Sequence, residues 1–283
     1  MIKAIDFYKS GHGAQYPDKT EFVYSNMTPR SGNHAIRNIG GIVAFGIQAH
    51  CQEFLIDTWS REFFKKDKKD VVSKYQRRLK NAGLEVGMEH IEALHDLGFL
   101  PVLIKALPEG TFVPYGVPMF TIINTLAEFG WITNYLESVM SAELWKPATS
   151  ATTALVYKRN FEMWAEKMGY DEGLTKFQGH DFSFRGMSGY KDAASSSAGH
   201  LLSFVGTDTV QSIDYLEDYY GADSDVELVG CSVPATEHSV MCMGTLDDEQ
   251  GTFDRLISET YPSGIVSIVS DTWDLWKVLT EYL

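Results

Sequence analysis

The chain has 283 residues, 44% of them hydrophobic and 22% charged, which is enough to bury one large core or two modest ones. Its net charge of −14 disfavours nucleic acid and anionic membrane surfaces as partners. Three scattered cysteines indicate reduced thiols rather than a disulfide framework or a zinc site. The start of the chain lacks an apolar signal region, and no run of residues approaches a membrane span, so we expect a soluble cytoplasmic protein.

The first part of the chain, residues 1–176, predicts an N-terminal α+β and helical region. Apolar residues recur there at helical spacing, and the predicted helices span residues 41–66, 71–81, 88–97, 131–145 and 151–168. Residues 101–123 predict two strands, with turns at 108–110 and 115–116. No low-complexity tract, flexible linker or internal repeat divides the chain.

The second part, residues 177–283, changes to a rhythm of strands and helices. Short apolar pieces alternate with helical stretches, in the order 201–205, 209–220, 228–233, 248–260, 265–269 and 273–282. This spacing is typical of parallel βα units. We therefore predict an α/β fold in which an N-terminal α+β region precedes the strand–helix units of an incomplete (β/α) barrel. The chain supplies roughly four such units, and a closed barrel needs about eight.

Polar clusters fall where the predicted strands end and the helices begin, which is where α/β folds place their chemistry. These clusters are HDFSFRG at 180–186, GTDT at 206–209, ATEHS at 235–239 and SDTW at 270–273. Asp208 and Asp271 either cap helices or line one mouth of a sheet. In the second case they could bind Mg²⁺, ribose hydroxyls or an amide N–H₂ group.

The cluster HDFSFRG has two interpretations. One is a buried strand with an Arg–Asp pair. The other is a flat aromatic surface beside a guanidinium, which suits a planar ring carrying a polar or anionic group. Because alternate residues of a strand share a face, we expect Phe182 and Phe184 to point away from Asp181 and Arg185.

The cluster ATEHS contains His238, which has no second histidine or carboxylate three or four residues away, so a helical pair of two histidines or of a histidine and a carboxylate is excluded. Neighbouring residues on a helix point about 100° apart, so Glu237 and His238 cannot form a simple pair. His238 therefore remains as a single nucleophile or acid–base group. The N-terminal SGHG lacks the Gly-Lys-Ser/Thr ending of a P-loop. In a symmetric dimer, this N-terminal arm could complete the neighbour's site.

Five motifs, DFYKSGHGAQYP, HDFSFRGMSG, GTDTV, GCSVPATEHSV and VSIVSDTWDLW, occur in an order that resembles the nicotinamide phosphoribosyltransferases, a type II phosphoribosyltransferase family. The resemblance runs from about residue 4 to the end. It implies a reaction between nicotinamide and phosphoribosyl pyrophosphate that yields nicotinamide mononucleotide and pyrophosphate, with Mg²⁺. It also implies homodimers whose two sites lie at the subunit interface.

The resemblance also implies roles for individual residues. Phe182 resembles the aromatic residue that stacks on nicotinamide, and Tyr8 of the other subunit resembles the opposite wall. Arg185 resembles the guanidinium near the ring and phosphate, and Asp208 the acceptor for the carboxamide N–H₂. His238 resembles the histidine that ATP phosphorylates to drive the synthesis. Further positions that resemble residues lining the site are Asp6 of the other subunit, Arg30, Ser232 and Asp271.

Members of this family continue well beyond this length. The chain also has few cations that could bind pyrophosphate, namely Arg30, Arg185 and Lys191. We therefore expect that a second polypeptide, or sequence not included here, supplies the missing phosphate-binding half. Two alternatives stay open: a shortened homologue that binds nicotinamide or a nucleotide without turnover, and a short phosphoribosyltransferase that acts alone.

Overall fold

The computed structural model describes residues 1–282, which form two compact units, Met1–Gly230 and a second unit from Cys231 onward. The strands are β1 (Tyr24–Met27), β2 (Gly41–Val43), β3 (Val102–Ala106), β4 (Phe112–Pro114), β5 (Phe120–Asn124), β6 (His180–Asp181) and β7 (Gly206–Thr207). The helices are α1 (His12–Gln15), α2 (Ile47–Ala49), α3 (Lys68–Asn81), α4 (Glu89–Leu97), α5 (Ile132–Met168), α6 (Tyr190–His200), α7 (Gln211–Tyr220), α8 (His238–Met243), α9 (Glu249–Arg255) and α10 (Leu275–Lys277).

Wider helical turns with π-type hydrogen bonds follow three of these helices. They extend α2 over His50–Thr58 and Ser60–Phe64, α9 over Leu256–Thr260 and α10 over Val278–Tyr282. Short 3₁₀ turns lie at Phe7–Gly11, Ala127–Phe129, Glu172–Phe177, Phe184–Gly186 and Leu246–Asp248. The predicted helices over 71–81 and 88–97 are confirmed as α3 and α4, and Asp67 caps α3 by accepting the Asp70 N–H.

An antiparallel sheet and the helices packed on it form the core of the first unit. Its strand order is β1-β5-β3, and the residues of β5 alternate between buried and half-buried positions. A separate antiparallel pair joins β2 to β4. Residues 101–123 therefore contribute three strands rather than the predicted two, because β4 leaves the hairpin and pairs elsewhere. The buried side chains of this core include Trp59, Phe63, Ile91, Phe120 and Tyr135.

Two helix predictions need correction. The helix expected over 41–66 begins at Ile47, because Gly46 has a φ of 99° and residues 41–43 form β2. The two helices expected over 131–145 and 151–168 are one helix, α5, which continues through Pro147. A proline inside a helix removes one hydrogen bond and costs about 3 kcal/mol. Burial of α5 on both sides of Pro147, at Leu144 and Ala148, offsets that cost.

The predicted βα rhythm is present, but its strands are very short. In the first unit, β6 and β7 form a parallel pair that alternates with α6 and α7. The strand predicted at 201–205 is wrong, because α6 ends at His200, residues 201–203 form a turn, and β7 follows at Gly206. Among the described residues, no strand forms at 228–233, and the strand predicted at 265–269 is reduced to a parallel bridge between Ala235 and Ser267.

The second unit has its own small core, formed by Met241, Phe253, Leu256 and Val278. The compact first unit continues past residue 177, the predicted start of the second domain, and ends at Gly230. That predicted boundary stays a prediction, as does the incomplete barrel. Within residues 1–282, no helix combines the length and apolar character needed to cross a membrane.

Candidate functional site

The parallel pairing of β6 with β7 brings two of the predicted polar clusters together. His180 lies opposite Gly206, and Asp181 lies opposite Thr207. The next residues along the two strands are Phe182 and Asp208, so these two side chains leave neighbouring strand ends at the same edge. This is the edge at which parallel sheets place ligands.

Four side chains line a cleft of about 580 Å³ at this edge: Phe182, Phe184, Arg185 and Asp208. The ring of Phe182 is 68% exposed, which is unusual for an aromatic side chain and leaves one face accessible to a planar ligand. The expected alternation of faces along 181–185 is wrong. The strand ends at Asp181, and a 3₁₀ turn over Phe184–Gly186 carries Phe184 and Arg185 to the same cleft.

His180 is a site residue for which the sequence analysis predicts no role. Its Nε2 lies 2.8 Å from Oδ1 of Asp208. Its ring lies 4.5 Å from the ring of Phe182, tilted by 31°. A carboxylate only accepts hydrogen bonds, so this contact places the imidazole proton on Nε2. His180 therefore orients both the aromatic and the acidic member of the cleft. The sequence does contain a signal for this role, because the histidine and the aspartate lie at the ends of two successive strands.

Asp181 lies behind the cleft and accepts several hydrogen bonds. Its Oδ2 accepts the Thr209 hydroxyl at 2.9 Å, and its Oδ1 accepts the Ser183 N–H at 3.1 Å. Burial alone would raise the pKa of Asp181. Hydrogen bonds from Ser183, Ser197 and Thr209 outweigh burial and leave that pKa below its usual value. The side chain is therefore an ionised acceptor at neutral pH.

The N-terminal arm that carries Asp6 and Tyr8 is anchored on α5. The buried Lys9 ammonium donates to the Asn134 carbonyl at 3.0 Å and forms an ion pair with Glu137. The Ser138 hydroxyl donates to the Asp6 carboxylate. Tyr8 is 64% exposed and has its ring contacts within the arm, with His12 and Lys9. Within one chain, the arm therefore presents Tyr8 outward and does not complete the cleft at Phe182.

Arg30 lies in another cavity of the first unit. This cavity has a volume of about 510 Å³, and Arg30 shares it with Arg37, Tyr115, Trp145 and Tyr157. The structure thus groups Phe182, Arg185 and Asp208 in one cleft and places Arg30 elsewhere.

The second unit carries Ser232, His238 and Asp271. His238 is the first residue of α8, and its Nε2 lies 3.1 Å from Oδ1 of Asp271. The parallel bridge between Ala235 and Ser267 holds the two segments side by side. The Glu237 carboxylate accepts the hydroxyl of Ser239, so Glu237 and His238 do not pair, as the sequence predicts. Ser232 is exposed.

The described residues contain no group of three or more His, Cys, Asp or Glu side chains arranged to bind a metal ion. Asp208 and Asp271 each contact a histidine instead. Any divalent ion at these carboxylates would need most of its ligands from water or from a bound substrate.

Comparison with known proteins shows what the chain is similar to. Residues 177–281 match the model of the nicotinate phosphoribosyltransferase (NAPRTase) family. The nicotinamide phosphoribosyltransferase of Acinetobacter baylyi is 58% identical over 99% of this chain and 56% of its own length. That of Xanthomonas campestris is 28% identical over 100% of this chain and 57% of its own length. The chain therefore spans just over half the length of these relatives.

Two solved structures share the fold at low sequence identity. Human nicotinic acid phosphoribosyltransferase aligns with a TM-score of 0.56 at 17% identity, over 84% of this chain and 40% of its own. Nicotinate-nucleotide pyrophosphorylase from Pyrococcus furiosus aligns with a TM-score of 0.54 at 16% identity, over 98% of this chain and 52% of its own. The mixed α/β class is thereby confirmed. Together with the sequence matches, this shows that residues 177–281 resemble the nicotinate phosphoribosyltransferase family and that the chain is similar to nicotinamide phosphoribosyltransferases along almost its whole length.

Proposed function

We propose that this chain carries the nicotinamide-binding and histidine parts of a phosphoribosyltransferase of NAD salvage. The reaction joins nicotinamide to phosphoribosyl pyrophosphate and releases nicotinamide mononucleotide and pyrophosphate. The observation that carries the proposal is the cleft of the first unit, where Phe182, Arg185 and Asp208 lie together. The names of the curated relatives support the same reaction.

The chemistry of the cleft suits nicotinamide. The exposed face of Phe182 offers a stacking surface for a pyridine ring. The Asp208 carboxylate can accept a hydrogen bond from the carboxamide N–H₂ and repels the carboxylate of nicotinic acid. Arg185 supplies a positive charge near the phosphate of the product nucleotide. Tyr8 of a second copy forms the opposite wall, because its own arm holds it outward.

In the second unit, we assign His238 as the group that ATP phosphorylates and Asp271 as its orienting partner. The Asp271 carboxylate faces Nε2 of His238 and holds the proton there. The lone pair of the neutral imidazole then lies on Nδ1, which becomes the nucleophile toward the γ-phosphate of ATP. Both side chains are more than 60% exposed, so a nucleotide can reach them. Ser232 and Arg30 are assigned as further substrate contacts on the basis of the resemblance.

Binding of pyrophosphate requires positive charge that the described residues supply sparingly. Lys191, one of the three candidate cations, forms an ion pair with Glu53. Mg²⁺ fits this chain as an ion that enters with the substrate, because Mg²⁺ is usually held by one or two carboxylates together with phosphate oxygens and water. When bound, it would neutralise the charge that develops on the departing pyrophosphate. Asp208 and Asp271 are the carboxylates available for this role.

We further propose that the working enzyme is a homodimer with sites at the subunit interface. We also propose that a second polypeptide, or further sequence, supplies the phosphate-binding half that the longer relatives contain. Of the three candidate cations, only Arg185 lines the cleft, and Lys191 is paired with Glu53, which supports this view. These observations equally support the alternative, a homologue that binds nicotinamide or a nucleotide without catalysing the reaction. A cytoplasmic location stays a prediction.

Calorimetry with nicotinamide tests the binding part of the proposal. We expect the purified chain to bind nicotinamide, and we expect Phe182→Ala to weaken that binding about five- to hundredfold, since a stacked ring contributes about 1–3 kcal/mol. Phe177→Ala is the matched control, because Phe177 is also exposed but does not line the cleft. Absence of nicotinamide binding, or equal losses in both variants, would contradict the proposal.

The reaction itself is tested by incubating the chain with nicotinamide, phosphoribosyl pyrophosphate, Mg²⁺ and ATP. We expect little mononucleotide from the chain alone. We expect robust synthesis once a polypeptide corresponding to the remainder of the Acinetobacter baylyi relative is added. Full activity of the chain alone would refute the need for a second half. Nicotinamide binding without turnover in both mixtures would favour the binding homologue.

A further inference from the structure

We infer that Asp181 is a positioning residue that holds Phe182 and Asp208 in place without touching the ligand. This inference rests on the proposed function, because it explains how the nicotinamide cleft keeps its shape. Asp181 is absent from the lining of that cleft and lines a separate cavity behind β6. Its effect on the ligand must therefore pass through the residues that it holds.

The strands that carry the cleft are too short to hold it alone. β6 and β7 pair through two residue pairs, and Phe182 and Asp208 both lie just beyond the paired region. The main chain of Asp208 is bonded directly to Asp181, since the Asp208 N–H donates to the Asp181 carbonyl at 2.9 Å. This bond and the contact between its side chain and His180 attach Asp208 to β6, and its orientation also depends on the residues at either side.

The carboxylate of Asp181 contacts those neighbouring residues. Its Oδ2 accepts the hydroxyl of Thr209 at 2.9 Å and lies 3.5 Å from the hydroxyl of Thr207. Its Oδ1 accepts the N–H of Ser183 at 3.1 Å. One carboxylate thus contacts the residues on both sides of Asp208 and the residue that follows Phe182. No hydrophobic side chain of similar size could make these contacts.

A buried layer of hydroxyl groups fixes the carboxylate in turn. The hydroxyls of Thr207 and Ser197 lie 2.9 Å apart, and the Thr207 hydroxyl accepts the N–H of Thr209 at 2.9 Å. Ser197, Thr207 and Thr209 are 1%, 4% and 0% exposed. Water cannot readily replace a lost partner at these depths, so removal of the acceptor forces the donors to move. The movement would displace the main chain on either side of Asp208.

Asp181→Asn separates the acceptor role from simple packing. Asparagine has almost the same shape as aspartate, but one of its two terminal atoms is a donor. Its one carbonyl oxygen can accept from either the Ser183 N–H or the Thr209 hydroxyl. If that oxygen accepts from Ser183, the N–H₂ group can only donate to the Thr209 oxygen, so the buried Thr209 O–H loses its acceptor. Asp171→Asn is the matched control, because Asp171 accepts the Gly173 N–H at 2.8 Å in a similar turn and does not line the cleft.

Two measurements on the full chain test the inference. Amide hydrogen exchange, followed by NMR, measures how firmly the main chain on either side of Asp208 is held, and it needs no ligand. We expect the amides of Ser183, Asp208 and Thr209 to exchange at least about tenfold faster in Asp181→Asn and at the wild-type rate in Asp171→Asn. Calorimetry should then show nicotinamide binding about tenfold weaker in Asp181→Asn and unchanged in the control. Thr209→Val, which removes one donor, should give a smaller change in both measurements.

The outcomes separate this inference from the proposed function. Unchanged exchange at Asp208 and Thr209 would overturn the inference. Faster exchange with unchanged nicotinamide affinity would also overturn it, since the held geometry would then not serve binding. If the wild-type chain does not bind nicotinamide, the proposed function fails, and the exchange rates still decide whether Asp181 positions Asp208. If Asp181→Asn does not fold, Thr209→Val decides both points by the same criteria.

Discussion

Nε2 of His238 and Oδ1 of Asp271 lie 3.1 Å apart, although 33 positions separate these residues in the sequence. The parallel bridge between Ala235 and Ser267 explains this proximity, because each bridge residue lies three or four positions before one of the pair. A second tie crosses between the same segments, where the Val269 N–H donates to the Thr236 hydroxyl at 2.9 Å. The contact is thus built into the second unit, and it sets the tautomer of an exposed histidine.

From this contact we predict separate effects for the two residues. His238→Ala should abolish ATP hydrolysis and its coupling to synthesis while leaving some exchange between free nicotinamide and its mononucleotide. Asp271→Asn should slow phosphorylation of His238 by about ten- to hundredfold, because an amide holds the imidazole proton less well than a carboxylate. Incorporation of labelled phosphate from ATP measures both effects, in the mixture that contains the remainder of the Acinetobacter baylyi relative. Ser239→Ala is the control, since Ser239 bonds to Glu237 instead. Intact ATP hydrolysis in His238→Ala would show that the phosphohistidine assignment is wrong.

The pair of His180 and Asp208 leads to a prediction about specificity. Asp208→Asn should relax the preference for nicotinamide over nicotinic acid by about ten- to hundredfold, because it removes a negative charge and offers an N–H₂ donor to a carboxylate. Calorimetric titration with both ligands gives the ratio of their dissociation constants. Asp214→Asn, on the neighbouring helix α7 and outside the cleft lining, controls for the loss of one charge. An unchanged ratio would remove Asp208 from the specificity role.

The sequence predicts those parts of the fold where a long, regular pattern exists. The helical spacing over 71–81 and 88–97 is enough to identify α3 and α4. The prediction of two helices on either side of Pro147 fails, because burial of α5 overrides the local helix-breaking signal of the proline. Sequence patterns also fail for β6 and β7, because two-residue strands show no alternation that a pattern could detect.

For the candidate site, the order of the motifs predicts residues that line the cleft. It does not predict the residues that hold these side chains in place, His180 and Asp181. Phe182, Arg185 and Asp208 line one cleft, and their roles in binding stay predictions. The link between His180 and Asp208 depends on strand register, which the sequence does not reveal. The contacts of Asp181 depend on hydroxyl groups that look like ordinary polar residues in the sequence. Interactions of this kind, between residues about 30 positions apart, become visible only in three dimensions.

Gly199 is predicted to be required for the packing of α6 on α5. A Cβ atom at this position would lie 2.5 Å from the Pro147 carbonyl oxygen and 3.1 Å from the Ala151 nitrogen. Both atoms belong to the main chain of α5, so they cannot move aside cheaply. Gly199→Ala should therefore lower the free energy of unfolding by about 1–3 kcal/mol, as urea denaturation would measure. Gly186→Ala is the control, because nothing lies within 4 Å of its added Cβ. Equal stability of the two variants would refute the close helix contact.

His50 is predicted to make stability depend on pH. Burial lowers the pKa of His50 from 6.5 to about 4 in the folded chain. The unfolded chain therefore binds a proton more readily, and the stability that His50 contributes is fully present above pH 6.5 and lost as pH falls toward 4. At pH 5 the loss should be about 2 kcal/mol. Urea denaturation at pH 7 and pH 5 should show a smaller difference for His50→Leu than for the wild type. Exposed His34 provides the control, and His34→Gln should behave as the wild type does.

The outward position of Tyr8 leads to a complementation experiment. If each site combines Phe182 of one copy with Tyr8 of another, Tyr8→Ala and Phe182→Ala should each abolish high-affinity nicotinamide binding on their own. Refolding the two variants together in equal amounts forms mixed dimers, in which one site has both aromatic residues and the other has neither. Statistical mixing makes half of all dimers mixed, so about a quarter of the wild-type binding capacity should return. Calorimetric stoichiometry measures this capacity, and the separately refolded variants serve as controls. Failure to regain any binding, while mixed dimers form, would place Tyr8 outside the nicotinamide site.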